Sequence, residues 1–222
     1  MRNVDIDVVL NAIQHTCRIP SVKRKNMGTV EGPCVLLSAM PVVICLLRGV
    51  NLGGHSKIKM DMLRTLCESL GLENPQTYIQ SGNVVFKTKQ RNLKQLAGKI
   101  EEAIEGKVGF RPDVILRTVA ELAETLAKNP FAKRRDLNPS KLLITFLAEA
   151  PSTLALKELA KIEAGPEEMK VHGREIFVYF PDGMGRSKFP WTRIGKILGS
   201  TGTGRNWNTA NKLLEMAEQL EG

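Results

Sequence analysis

From Val42 onward the apolar positions switch between two spacings, and the switching predicts a repeated order of strands and helices. Residues 42–47 form an unbroken apolar run, the length of a strand buried on both faces. Met60, Leu63, Cys67 and Leu70 recur at helical spacing until Gly71 stops the pattern. Residues 77–80 and 84–87 read as a hairpin turning at Ser81-Gly82-Asn83. A second helix carries Leu93, Leu96, Ile100 and Ile104, and 114–116 is another strand. Thr118 with Glu121 predicts a capping box for a further helix that ends near Asn129-Pro130.

The order then repeats. Residues 142–147 read as a strand, 151–162 as a helix, and 169–172 with 176–180 as a hairpin about Gly173-Arg174. A helix over 191–198 and a short strand at 201–203 follow, and Asn208 is placed as the cap of a last helix bearing Leu213, Leu214, Ala217 and Leu220. The expected fold is α+β, with two ferredoxin-like subdomains (βαββαβ plus a helix) in tandem over 41–130 and 141–222. Residues 1–39 break the pattern with Pro20, a Lys23-Arg24-Lys25 cluster and Gly32-Pro33, and read as a poorly packed extension; Met27 and Met40 are alternative starts. The apolar stretch 35–47 is broken by Pro41 and falls short of the roughly 20 residues of a membrane span. No membrane partner is expected.

Glycine, asparagine and positive charge concentrate where this topology turns. Arg48, Asn51, Gly53, Gly54 and Lys57 leave the first strand, and Gln80, Ser81 and Asn83 occupy the first hairpin. Arg186 and Lys188 follow the third strand of the second half, and Arg205 and Asn206 follow its fourth. Glycine frees backbone N–H groups to converge while arginine, lysine and asparagine supply donors, which is the chemistry of an anion site. In a βαββαβ unit the loop leaving strand one and the hairpin joining strands two and three emerge at the same end. The two halves are therefore expected to bring these clusters to one basic cleft.

The same residues carry a family resemblance. Leu47-Arg-Gly-Val-Asn-Leu-Gly-Gly54, Tyr78-Ile-Gln-Ser-Gly-Asn-Val-Val-Phe86, Asn129-Pro-Phe131, Pro181-Asp-Gly-Met-Gly-Arg-Ser-Lys188 and Gly204-Arg-Asn-Trp-Asn-Thr209 resemble, in order and spacing, the motifs of the bacterial domain-of-unknown-function 1697 family. That resemblance implies a two-part α+β fold and brings no activity or catalytic residue with it.

Composition narrows the chemistry. The formal net charge of +9 suits a phosphate-bearing small molecule, nucleic acid or an acidic partner, while aromatics at 5% disfavour an extended base-stacking surface. Cys17, Cys34, Cys45 and Cys67 form no C-x-x-C pair, so buried thiols in a cytoplasmic protein are expected, with no metal and no cofactor. Gly49 to Lys57 lacks the Gly-Lys-Ser/Thr ending of a P-loop, and no serine sits in a G-x-S-x-G frame. Binding of a phosphorylated small molecule or nucleotide in the basic cleft is the leading expectation. Nucleic-acid binding, and an enzyme using His55 or Asp182 for proton transfer, are the alternatives.

Overall fold

The computed structural model describes residues 40–51 and 56–222. The stretch read as an N-terminal extension lies outside the described residues, as do Gly53, Gly54 and His55 of the glycine loop.

β1 (Val42–Leu47), α1 (Met60–Ser69), β2 (Glu73–Tyr78), β3 (Asn83–Lys87), α2 (Leu93–Val108) and β4 (Val114–Thr118) form the first βαββαβ unit, and α3 (Val119–Ala127) follows it. After a 3-10 turn at Pro139–Lys141 the order recurs as β5 (Leu142–Leu147), α4 (Thr153–Leu159), β6 (Glu168–His172), β7 (Glu175–Tyr179), α5 (Trp191–Leu198), β8 (Gly202–Asn206) and α6 (Trp207–Glu221). Each half makes one antiparallel sheet, ordered β2-β3-β1-β4 and β6-β7-β5-β8.

Several boundaries differ from those read off the sequence. β2 starts at Glu73, with a register irregularity between Glu73 and Gln76 that a period-two pattern cannot reveal. β8 runs three residues further, to Asn206, so the cap of α6 is Asn206 and not Asn208: its side chain accepts the N–H of Thr209. The Thr118–Glu121 capping box forms as expected.

Both faces of β1 are buried, and they serve different cores. Val43, Cys45 and Leu47 pack outward with Leu63, Cys67 and Ile100 of α1 and α2. Val42, Ile44 and Leu46 face inward and share one core with Ile144, Phe146 and Phe177 of the second sheet and with α3 and α6. A third cluster joins the outer face of the second sheet to Leu159 of α4 and Ile194 of α5.

The halves are tied by a reciprocal pair of arginines. Arg117 stands opposite Ile44 in the β1–β4 ladder, and Arg205 stands opposite Ile144 in the β5–β8 ladder. Arg117 Nη2 donates to the carbonyl of Leu147 at 2.7 Å, and Arg205 Nη2 donates to the carbonyl of Leu47 at 2.8 Å. Each reaches the last carbonyl of the other half's first strand, a buried acceptor that at Leu47 is shared with Thr203 Oγ1. Each also bonds the first residue of the other half's third strand: Arg117 pairs with Glu175, and Arg205 with Asn83. Such exchange of equivalent contacts is what a two-fold relation between the halves requires.

Candidate functional site

The first sequence cluster assembles, and most of it holds the chain together. Leu47 N–H donates to the Gly82 carbonyl at 2.8 Å, which fastens the β2–β3 turn to the end of β1. A Cβ on Gly82 would lie 2.5 Å from Val50 Cγ2 and 2.7 Å from Leu47 Cβ, so only glycine fits against that strand end, and its φ of +71° suits it as well. Asn51 donates to the carbonyls of Ile58 and Gln80 at 3.0 and 2.6 Å and accepts from Ile58 N–H at 2.9 Å. Asn83 is fully buried, donating to the Tyr78 carbonyl and Ser81 Oγ and accepting from Arg205.

Arg205 spends every guanidinium N–H inside the chain. Nε donates to Asn83, Nη1 to Thr203 Oγ1 and the Gly204 carbonyl, and Nη2 to the carbonyls of Leu47 and Ser81. Burial brings its pKa down to about 10, and no donor remains for a ligand. Arg205, Asn51, Asn83 and Asn206 therefore serve the fold. Arg48, Lys57 and Gln80 stay exposed at the end of the first sheet.

The second cluster lies apart from the first. Arg186 and Lys188 are exposed and line a cavity with Asp182, Gly183, Glu163 and Glu167, at the end of the second sheet where Leu142 pairs with Tyr179. Ser187 hydrogen-bonds Glu167 and accepts the N–H of Phe189. Arg48 instead follows Leu47, whose carbonyl meets Thr203 and Arg205 level with Phe146 and Ile144. The single basic cleft expected from the sequence is thus divided. Arg48 lines one cavity and Arg186 with Lys188 another, and no residue is common to the two linings.

Arg48 lies at another cavity, of about 290 Å³, between α5 and the outer face of the second sheet. Leu143, Leu147, Ile176, Ile194 and Leu198 supply apolar walls, Trp191 an aromatic one, and Gly202 and Gly204 of the edge strand β8 the rim. Trp191 is 37% exposed, its ring edge-on to Phe189 with centroids 4.7 Å apart, so packing fixes one side of the indole and leaves part of it open. In the first half the ladder positions of Gly202 and Gly204 are held by Val114 and Leu116, both buried. Arg48 Nη1 pairs with Asp113 at 2.9 Å, and its other donors have no partner among the described residues.

Sequence reasoning missed two residues here. Trp191 opens α5, and its place at a helix start gives no sign in the sequence of an open face. Ile79 is 51% exposed with φ of +48°, a left-handed conformation that a β-branched side chain strongly resists, and it sits beside Gln80 at the same end as Arg48.

The comparisons with known proteins agree with this fold. The family model described as "Protein of unknown function (DUF1697)" matches residues 40–177, more than half of the chain, and the chain belongs to that family. A solved structure, that of the conserved bacterial protein SP0830 from Streptococcus pneumoniae, is similar with 25% identity and a TM-score of 0.64, over 81% of this chain and 99% of that one. No curated protein matches. Among the described residues no helix is long and apolar enough to cross a membrane, and no group of three or more His, Cys, Asp or Glu is placed to hold a metal.

Proposed function

We propose that the chain binds a small phosphate-bearing molecule of nucleotide size in the cavity between α5 and β8. The observation that carries this reading is the pairing of one cation from the first half with an apolar, partly aromatic pocket of the second: Arg48 lines the same cavity as Trp191 and the glycine rim of β8. A flat apolar body would lie against Trp191 and the aliphatic walls, and a phosphate would accept charge-assisted bonds from the free edge of Arg48. A volume of about 290 Å³ is at the small end for ligand sites and suits one nucleotide better than a strand. Lys57 and Gln80, exposed at the same end, would add donors to the phosphate. Asp113 engages only Nη1 of Arg48, in an exposed ion pair, so Nε and Nη2 stay available to the phosphate.

A thermal-shift screen of nucleoside monophosphates and phosphosugars tests this directly. A true ligand at a hundred times its Kd raises stability by about 2.7 kcal/mol. Arg48→Ala should reduce that gain through an affinity loss of about 1.5–3 kcal/mol. If short oligonucleotides stabilise the chain with a steep salt dependence while every small phosphate ligand fails, the small-molecule reading is wrong.

A further inference from the structure

The α5–β8 cavity has a counterpart in the first half. Between α2 and β4 lies a cavity of about 340 Å³, lined among others by Lys94, Ala97, Val114, Leu116, Arg117 and Arg174. Val114 and Leu116 hold the ladder positions that Gly202 and Gly204 hold in the second half. Ala97 is the fifth residue of α2, as Gly195 is of α5. The counterpart differs in its charges, because its cations come from β4, α2 and the β6–β7 turn.

Arg117 is the centre of that difference. It is 1% exposed, over the Phe146 ring at 5.7 Å, with Nε and Nη2 committed to Glu175 and the Leu147 carbonyl. Nη1 makes a single bond, to the Leu116 carbonyl at 3.0 Å, so one N–H of a buried guanidinium is unused among the described hydrogen bonds. Its counterpart Arg205 leaves none. A buried charged donor without an acceptor is costly, and here it borders a cavity. Burial, and after it the nearby Arg174, lower the pKa of Arg117, and Glu175 opposes them.

The neighbouring carboxylates pair with two of the cavity's own cations. Glu121 accepts from Arg174 at 2.6 Å and from Thr118 N–H at 2.9 Å in the capping box. Glu149 meets Lys94 at 3.5 Å in an ion pair so exposed that an anion would displace it at little cost.

We propose that the α2–β4 cavity is an anion site in its own right, taking a phosphate group whose oxygen accepts the unused Nη1 N–H of Arg117 and lies against Arg174 and Lys94. The site stands on its own lining and does not depend on what the α5–β8 cavity binds. The phosphate would be free in solution or carried on a larger molecule, and inorganic phosphate and glycerol phosphate are the probes that distinguish these sources.

The full chain is titrated with each probe at constant ionic strength while the Nε–Hε NMR signals of Arg117 and Arg174 are followed. A saturable shift of both signals is expected with at least one probe, and the tighter probe identifies the source. Arg174→Ala and Lys94→Ala should each weaken it about tenfold, with Arg48→Ala leaving it unchanged. Lys94 is exposed and makes no core contact, so its variant remains informative if Arg174→Ala proves unstable. No saturable shift with either probe would overturn the proposal, as would a shift that Arg48→Ala abolishes and Lys94→Ala leaves intact.

Discussion

At the scale of single residues, buried polar groups carry the sharpest consequences. Truncating Arg205 to alanine leaves the Ser81 carbonyl and Asn83 Oδ1 without their donor and the Leu47 carbonyl with Thr203 Oγ1 alone. The expected loss is about 3 kcal/mol, read from urea unfolding, and a loss under about 1 kcal/mol would refute the clasp. The two thiols make a second residue-level prediction. Burial pushes Cys67 up from 9.0 to about 12 and raises Cys45 well above its ordinary value. A folded pKa above the unfolded one means the folded state holds its proton longer, so this stability is full below about pH 9 and is lost as pH rises toward 12. Each thiol should steepen the decline above pH 9 by up to about 1.4 kcal/mol per pH unit. Cys67→Ala should remove one thiol's share, and an unchanged slope between pH 9 and 10.5 would contradict it. The sequence placed Arg205 and Asn83 beside glycines and so suggested a ligand. Their partners include each other and, for Arg205, the Leu47 and Ser81 carbonyls, all far along the chain, which no local pattern displays.

At the scale of elements, local chemistry was the legible part. The apolar run of β1, the helical spacing of α1 and α2 and the capping box of α3 all follow from side chains within a few residues of one another. Thr118→Ala should cost about 1 kcal/mol of global stability, and a cost indistinguishable from zero would deny the cap its role. Strand β8 was the hardest element to read. Its sequence, GTGRN, has little strand propensity, and it forms because β5 offers a ladder and Arg205 has acceptors in the other half. Its glycines open the α5 cavity. Gly204→Leu would place there the side chain that Leu116 places in the first half, with overpacking against Leu143, 3.2 Å from the new Cβ, costing about 1–3 kcal/mol. Ligand affinity should fall at least tenfold while the fold survives. Undiminished binding in that variant would move the site elsewhere.

For the whole molecule, duplication explains both the fold and the division of the expected cleft. Two βαββαβ units exchange equivalent arginine contacts, so each first strand ends against the other half's fourth strand. Strand direction alone brings the loop after β1 to the β2–β3 turn in the first half, where Asn51 bonds the Gln80 carbonyl, whereas in the second half Arg205 lies within β8 and bonds the first half. Topology could not predict how the halves meet, because α3 and α6 enter the shared core and their apolar faces specify burial without direction. The result places Arg48 of one half at the mouth of a pocket built by the other. That juxtaposition is the central claim, and Trp191 reports on it. In a Trp207→Phe background, titration with a nucleoside monophosphate should quench Trp191 fluorescence saturably and one to one, and adding Arg48→Ala should weaken the response at least tenfold. No saturable change with any nucleoside monophosphate, or a response that Arg48→Ala leaves untouched, would contradict it.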